Sequence, residues 1–167
     1  MKLVMYHYVR PEVDAPPWGY YHLSLDSFRR QLDHFESEFD LLGRKEFLAT
    51  VAGERTPQPT DIVLTFDDGL RDHYEFVYPE LERRGLWGIF YVPAGPYLND
   101  EVLDVHRIHS MLGSVGGQAV CNSLDAIVDD SMLVEEYRDR FGNTYGKQDN
   151  PDAVTRAKKQ LNYLIED

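Results

Sequence analysis

Asp67 and Asp68 follow directly on the apolar run Ile62-Val63-Leu64-Thr65-Phe66 and are followed in turn by Gly69. Two neighbouring carboxylates repel each other unless a cation or a shared proton compensates, so the pair points to a metal site or an acid/base pair. A second group, Asp104-Val105-His106-Arg107-Ile108-His109, carries two imidazoles three residues apart. On a helix such positions share a face, about 60° apart around the axis, so both rings can reach one cation. Two histidines and a carboxylate suit zinc and other divalent first-row ions, and three protein ligands leave a position for water or substrate. Taken alone, an HxxH is a weak motif, and surface or capping histidines are the ordinary reading of such a pair.

These residues need elements that bring them together. The β-branched and large apolar residues ending at Phe66 read as a buried strand of an α/β sheet, where chemistry gathers at the carboxyl ends of strands. Gly69 allows a sharp turn there. Upstream, Leu3 to Val9 reads as a first strand, and Pro11 to Gly19, with Pro16 and Pro17, as a loop. Ser24 is placed to cap a helix whose apolar face is Leu25, Phe28, Leu32, Phe35 and Phe39, with Arg29, Arg30, Asp33 and Glu36 toward water. Asp40-Leu41-Leu42 reads as a short strand and Lys45 to Ala52 as a short helix closed by Gly53. After the carboxylates come an expected helix from Tyr74 to Arg84, stopped by Gly85, and a strand from Leu86 to Val92. Pro93-Ala94-Gly95-Pro96 follows as a loop, and helix is expected within Glu101 to Leu112. Beyond Gly113, with Gly116 and Gly117, strands become scarce. Two helical patterns, Ser123 to Arg140 and Pro151 to Ile165, flank a polar loop from Phe141 to Asn150.

With 167 residues, 43% hydrophobic and 13% aromatic, the chain has the material for a folded core and is not a disordered sequence. Its 29 acidic and 17 basic residues give a formal charge of -12, which argues against nucleic acid or an anionic membrane surface as the main partner. Cys121 is the single cysteine, so an intrachain disulfide and an all-cysteine metal site are both excluded. After Lys2 no apolar signal-peptide core develops, and no segment approaches the ~20 apolar residues of a membrane helix, so a cytoplasmic location is expected.

In combination, Thr65-Phe66-Asp67-Asp68-Gly69 and the His106/His109 pair make the chain resemble the polysaccharide deacetylase family, also called the NodB-homology or carbohydrate esterase family 4 group. Met5-Tyr6-His7-Tyr8-Val9 and Ser24-Leu25-Asp26-Ser27-Phe28-Arg29-Arg30-Gln31-Leu32 are similar to that family's opening strand and helix. The likeness runs in order over about the first 115 residues, the amino-terminal portion of such a domain. It implies Asp67 as general base, Asp68, His106 and His109 as metal ligands, and hydrolysis of N-acetyl groups from an amino-sugar-containing glycan or glycan precursor. The implied ion is divalent, zinc first, with cobalt, nickel or manganese as alternatives. The implied fold is a (β/α) barrel. Residues 1–113 would form a partial α/β barrel core with the metal motif, and residues 114–167 a mostly helical extension or insertion.

The chain departs from the family in two places. The family spaces its histidines four apart with Ser or Thr after the first, whereas Arg107 follows His106 and the gap is three. The later arginine, aspartate-tryptophan and histidine elements, the last of which acts as general acid, have no counterpart after His109. A homo-oligomer, or a missing carboxyl-terminal half, is therefore expected to complete the barrel. The alternative is a non-catalytic metal- or carbohydrate-binding fragment. A haloacid-dehalogenase-like phosphatase fits less well, since its two aspartates are separated by one residue.

Other polar residues carry two readings each. His7 shares a strand face with Met5 and Val9 and is either a satisfied core histidine or part of the substrate pocket. Tyr91 and Pro93 could line a sugar site, as could Trp87, with core packing as the alternative. Asp72, three residues before Glu75, reads as a helix cap with metal ligation as the alternative, and His73 as a solvated residue of that first turn that lies close enough in sequence to Asp68 to compete as a ligand. His22 and His34 read as surface residues.

Overall fold

A computed structural model describes residues 1–12, 20–129, 132 and 149–163. Among them the protein is a mixed α/β chain with parallel strands and many helices. The described residues up to Asp100, Tyr20 apart, form one compact unit, and Tyr20 with those from Glu101 onward forms a second.

The first unit is organised around β5, Asp61–Phe66, whose six residues are all buried. That is what an unbroken Ile-Val-Leu-Thr-Phe run requires, because both of its faces must be covered. β1, Lys2–Tyr6, pairs parallel along one edge, in register from Lys2 opposite Ile62 to Tyr6 opposite Phe66. The other edge is shared by two strands. β4, Asp40–Leu41, pairs with the beginning of β5, and β6, Gly88–Phe90, with its end, both parallel. A short second sheet joins β2, Val9–Arg10, to β3, Leu23–Ser24. The single strand expected from Leu3 to Val9 is therefore two strands broken at His7-Tyr8, so that His7 emerges from the sheet at the end of β1.

α1, Leu25–Glu38, starts as its sequence requires, with the Ser24 hydroxyl accepting from the Ser27 amide at 3.2 Å. Its apolar stripe buries Phe28 and Leu32 completely against Tyr6, Ile62, Leu64, Phe66, Val77 and Leu81. α2 is Arg44–Val51. After the carboxylates the chain makes a π-helical turn, His73–Val77, that continues into α3, Tyr78–Arg84. Arg29 does not simply face water. With Arg83 and Arg84 it surrounds the buried Glu80 carboxylate of α3, while Arg84 also reaches Asp33 and Glu36 of α1. This ionic cluster ties α1 to α3 and holds the Glu80 carboxyl down at about 2, chiefly through the Arg83 hydrogen bond.

Where a loop is expected, Ala94–Asn99 forms a short helix, α4. Pro96 sits in its first turn, where a missing N–H costs nothing, so turn-forming residues there do not prevent a helix.

In the second unit α5 is Asp104–Val115, α6 Gly117–Ile127 and α7 Asp152–Tyr163. Gly113 lies inside α5, and the break comes at Gly116, whose φ is 80°. Ile108, Leu112, Val120, Cys121, Leu124 and Ala157 form the core of this unit. α6 and α7 approach closely at Gly117, because a Cβ there would stand 2.6 Å from the Val154 nitrogen. Most of the expected helix beyond Asp129, residues 13–19 of the first loop, 141–148 of the later loop and 164–165 of the last helix lie outside the described residues.

Candidate active site

Parallel pairing brings the carboxyl ends of β1, β5 and β6 to one side of the sheet. The Asp67 amide donates to the Tyr6 carbonyl at 2.9 Å and the Tyr91 amide to the Phe66 carbonyl at 2.8 Å. His7, Asp67 and Tyr91 thus follow directly on the ends of neighbouring strands, with Asp68 second after β5 and Pro93 third after β6.

The turn out of β5 is strained. Asp68 has φ 76° and Gly69 φ 60°, two consecutive residues with left-handed backbone. Glycine adopts this at no steric cost; aspartate does so at some expense, and such residues concentrate at functional sites. Gly69 is also sterically confined, since a Cβ there would meet Val92 Cγ1 at 3.0 Å. Tyr97 of α4 donates its hydroxyl to the Gly69 carbonyl at 3.2 Å, holding the turn from the other side. The consequence is that the Asp68 carboxylate faces the His7 imidazole, with Oδ2 3.9 Å from Nε2. The Asp68 side chain is 22% exposed and that of His7 43%, so both can meet a ligand from solvent.

His7 is exposed, which overturns the reading as a core histidine. Tyr91 is likewise 52% exposed, at the end of β6. Trp87 instead packs its ring on Phe47 at 5.6 Å.

Asp72 and His73 differ from expectation. Asp72 makes no side-chain cap hydrogen bond; its carboxylate pairs with Arg10 at 2.7 Å. His73 is buried, 3% exposed, with Nε2 2.7 Å from the His7 carbonyl oxygen. Its ring stands edge-on to Phe66 at 5.6 Å, and burial holds its pKa below the usual imidazole value. The buried face Val77, Glu80 and Leu81, extended back by one helical turn, lands on His73, so the three-and-four spacing did carry this signal.

His106 and His109 both lie in α5, each half-buried, and the His109 ring stacks on Tyr20 at 4.1 Å and 8°. They belong to the second unit, the carboxylates to the first. Among the described residues no group of three or more His, Cys, Asp or Glu stands together in a form that could hold a metal ion. The donor types nevertheless fit a divalent first-row cation. Carboxylate and neutral imidazole are its ordinary ligands.

No family model matches the chain. The mitochondrial NADH-ubiquinone oxidoreductase 17.8 kDa subunit of Neurospora crassa is 30% identical over 104 residues, 62% of this chain and 50% of that protein. The chain thus spans about half the length of this curated relative. Among solved structures the chain is similar to deacetylases. IcaB from Ammonifex degensii is 28% identical with a TM-score of 0.45, over 56% of this chain and 39% of that one. A de-N-acetylase from Aggregatibacter actinomycetemcomitans is 22% identical with a TM-score of 0.41, over 53% and 35%. The Streptococcus pyogenes deacetylase PplD, in complex with acetate, is 19% identical with a TM-score of 0.46, over 98% and 80%.

Proposed function

We propose that this chain is a metal-binding, polysaccharide deacetylase-like hydrolase domain that removes N-acetyl groups from an amino-sugar-containing glycan. The observation that carries the reading is the strained Asp67-Asp68-Gly69 turn at the end of a buried parallel strand, with the His7 imidazole beside Asp68. Support also comes from the order of the sequence motifs, with the histidine pair downstream.

In this reading Asp68 would be a ligand of a divalent ion, zinc first, and the family resemblance implies His106 and His109 as the other two. Such an ion, when bound, acidifies a water and polarises an amide carbonyl. Asp67 takes the proton of the attacking water, and the carbon–nitrogen bond breaks with the nitrogen leaving as an amine that needs a proton. In this reading His7, 3.9 Å from Asp68, supplies it and so fills the role with no counterpart after His109. Tyr91 and Pro93 line the sugar. The parallel sheet is read as part of a (β/α) barrel.

Bound divalent metal, measured in the wild type and in Asp68→Ala and His106→Ala, tests the ligand set. Stoichiometric metal in the wild type and its loss in both variants is expected; unchanged occupancy would sink the assignment. A non-catalytic carbohydrate-binding domain would bind an N-acetylated sugar oligomer without releasing acetate.

A further inference from the structure

We infer that His73 is a positioning residue that sets the His7 imidazole against Asp68, with Asp72 acting beside it; the inference rests on the deacetylase reading of the same site. Asp72 and His73 are consecutive, and both reach back to the segment between β1 and β3. Asp72 grips Arg10 at 2.7 Å, and His73 meets the His7 carbonyl at 2.7 Å. One side of the latch therefore holds His7 itself, and the other holds the chain three residues on.

The His73 contact has a definite polarity. A carbonyl oxygen only accepts, so Nε2 carries the hydrogen, and a neutral ring then presents a bare lone pair at Nδ1. That Nδ1 is buried and has no hydrogen-bond partner among the described residues. An apolar side chain would fill the same space between Phe66 and Phe90, 5.6 and 6.0 Å from the ring, without burying an unsatisfied acceptor. What an imidazole adds here is one bond, to the backbone of His7. Phe66 leads directly into Asp67 and Asp68, so a ring seated on Phe66 and bonded to His7 fixes the histidine and the carboxylates in one frame. The π-helical turn aims His73 into that position; such turns recur at functional sites.

The test uses the full chain, as wild type, His73→Phe and His73→Gln. Gln keeps a donor near the Nε2 position, whereas Phe keeps only the volume. In the wild type, nitrogen NMR of labelled histidine is expected to show His73 as the neutral Nε2–H tautomer with a slowly exchanging proton. This reading needs no variant, and an Nδ1–H or doubly protonated ring would overturn the inference. His73→Phe is expected to shift the His7 ring resonances and leave those of His34 in place, and His73→Gln to bring them back toward wild type. On an N-acetylated sugar oligomer with zinc, His73→Phe should lower kcat on the order of 100-fold with KM nearly unchanged, and Gln should recover most of it. Wild-type kcat and unmoved His7 resonances in His73→Phe would refute positioning. Absence of acetate release by the wild type would instead refute the deacetylase reading, and the tautomer and the His7 resonances would then decide the positioning by themselves.

Discussion

Asp67 and Asp68 are adjacent in sequence but are held differently. Asp67 continues the ladder of β1 and β5 through its amide, whereas Asp68 is forced into a left-handed backbone and turned toward His7. Asp67→Asn should retain metal and lose activity on the order of 100-fold or more, because the proton acceptor is gone while the ligand stays; equal loss of metal in this variant would contradict the division of roles. Far from this turn, Asp61 opens β5 as a fully buried carboxylate that takes two hydrogen bonds from Arg55, at 2.6 and 2.7 Å, and one from the Gln58 amide. The Arg55 bonds come first in holding its carboxyl at about 2, below an ordinary value of 3.8. Between those values the unfolded chain takes up a proton that the folded chain refuses. Stability from this pair is therefore complete above about pH 4 and is lost as pH falls through 2. Asp61→Asn should flatten the acid limb of a melting-temperature profile over that window; an unchanged profile would mean the pair is immaterial to acid stability. The carboxylate pair was legible in the sequence because its chemistry is local. The burial of His73 follows from helical spacing, but the partners of Asp72 and His73 do not, since Arg10 and His7 lie more than sixty residues away and only tertiary pairing reveals them.

Elements with strong periodicity came through from sequence to structure nearly unchanged. The stripe of α1 and the unbroken apolar run of β5 each admit one arrangement, because any other leaves Phe28, Leu32 or Ile62 in water. Elements ruled by turn chemistry did not: α4 begins on Ala94-Gly95-Pro96, a string that reads as loop unless the proline is seen to fall in a first turn. Truncating the stripe at its centre, Phe28→Ala, should cost about 3–5 kcal/mol in denaturant unfolding, as for other fully buried aromatics; a loss below about 1 kcal/mol would mean that α1 does not carry this core. In the helical unit, Gly117→Ala places a methyl against the Val154 backbone and should cost about 1–3 kcal/mol, since backbone cannot move aside as a flexible side chain can. A neutral effect there would show that α6 and α7 are free to separate.

At the scale of the whole molecule, the sheet presents β1 as a strand paired, among the described residues, along one edge, with Leu3 and Met5 each 59% exposed. Apolar side chains beside a free strand edge invite another strand. The purified chain is expected to self-associate at micromolar concentration in sedimentation experiments, and Leu3→Lys with Met5→Lys to shift it toward monomer; a wild type that is monomeric throughout would contradict the partial-barrel reading. No helix among the described residues is long and apolar enough to cross a membrane. With a formal charge of -12, a cation held at the site would also relieve repulsion within the chain. The central claim is that Asp68 holds a metal on which amide hydrolysis depends. It is tested most directly by acetate release from an N-acetylated sugar oligomer, with zinc added, in the wild type and Asp68→Ala side by side. The expected result is release by the wild type that a chelator abolishes and that Asp68→Ala lacks. Equal release by both proteins, or zinc bound by the wild type with no acetate formed, would contradict it.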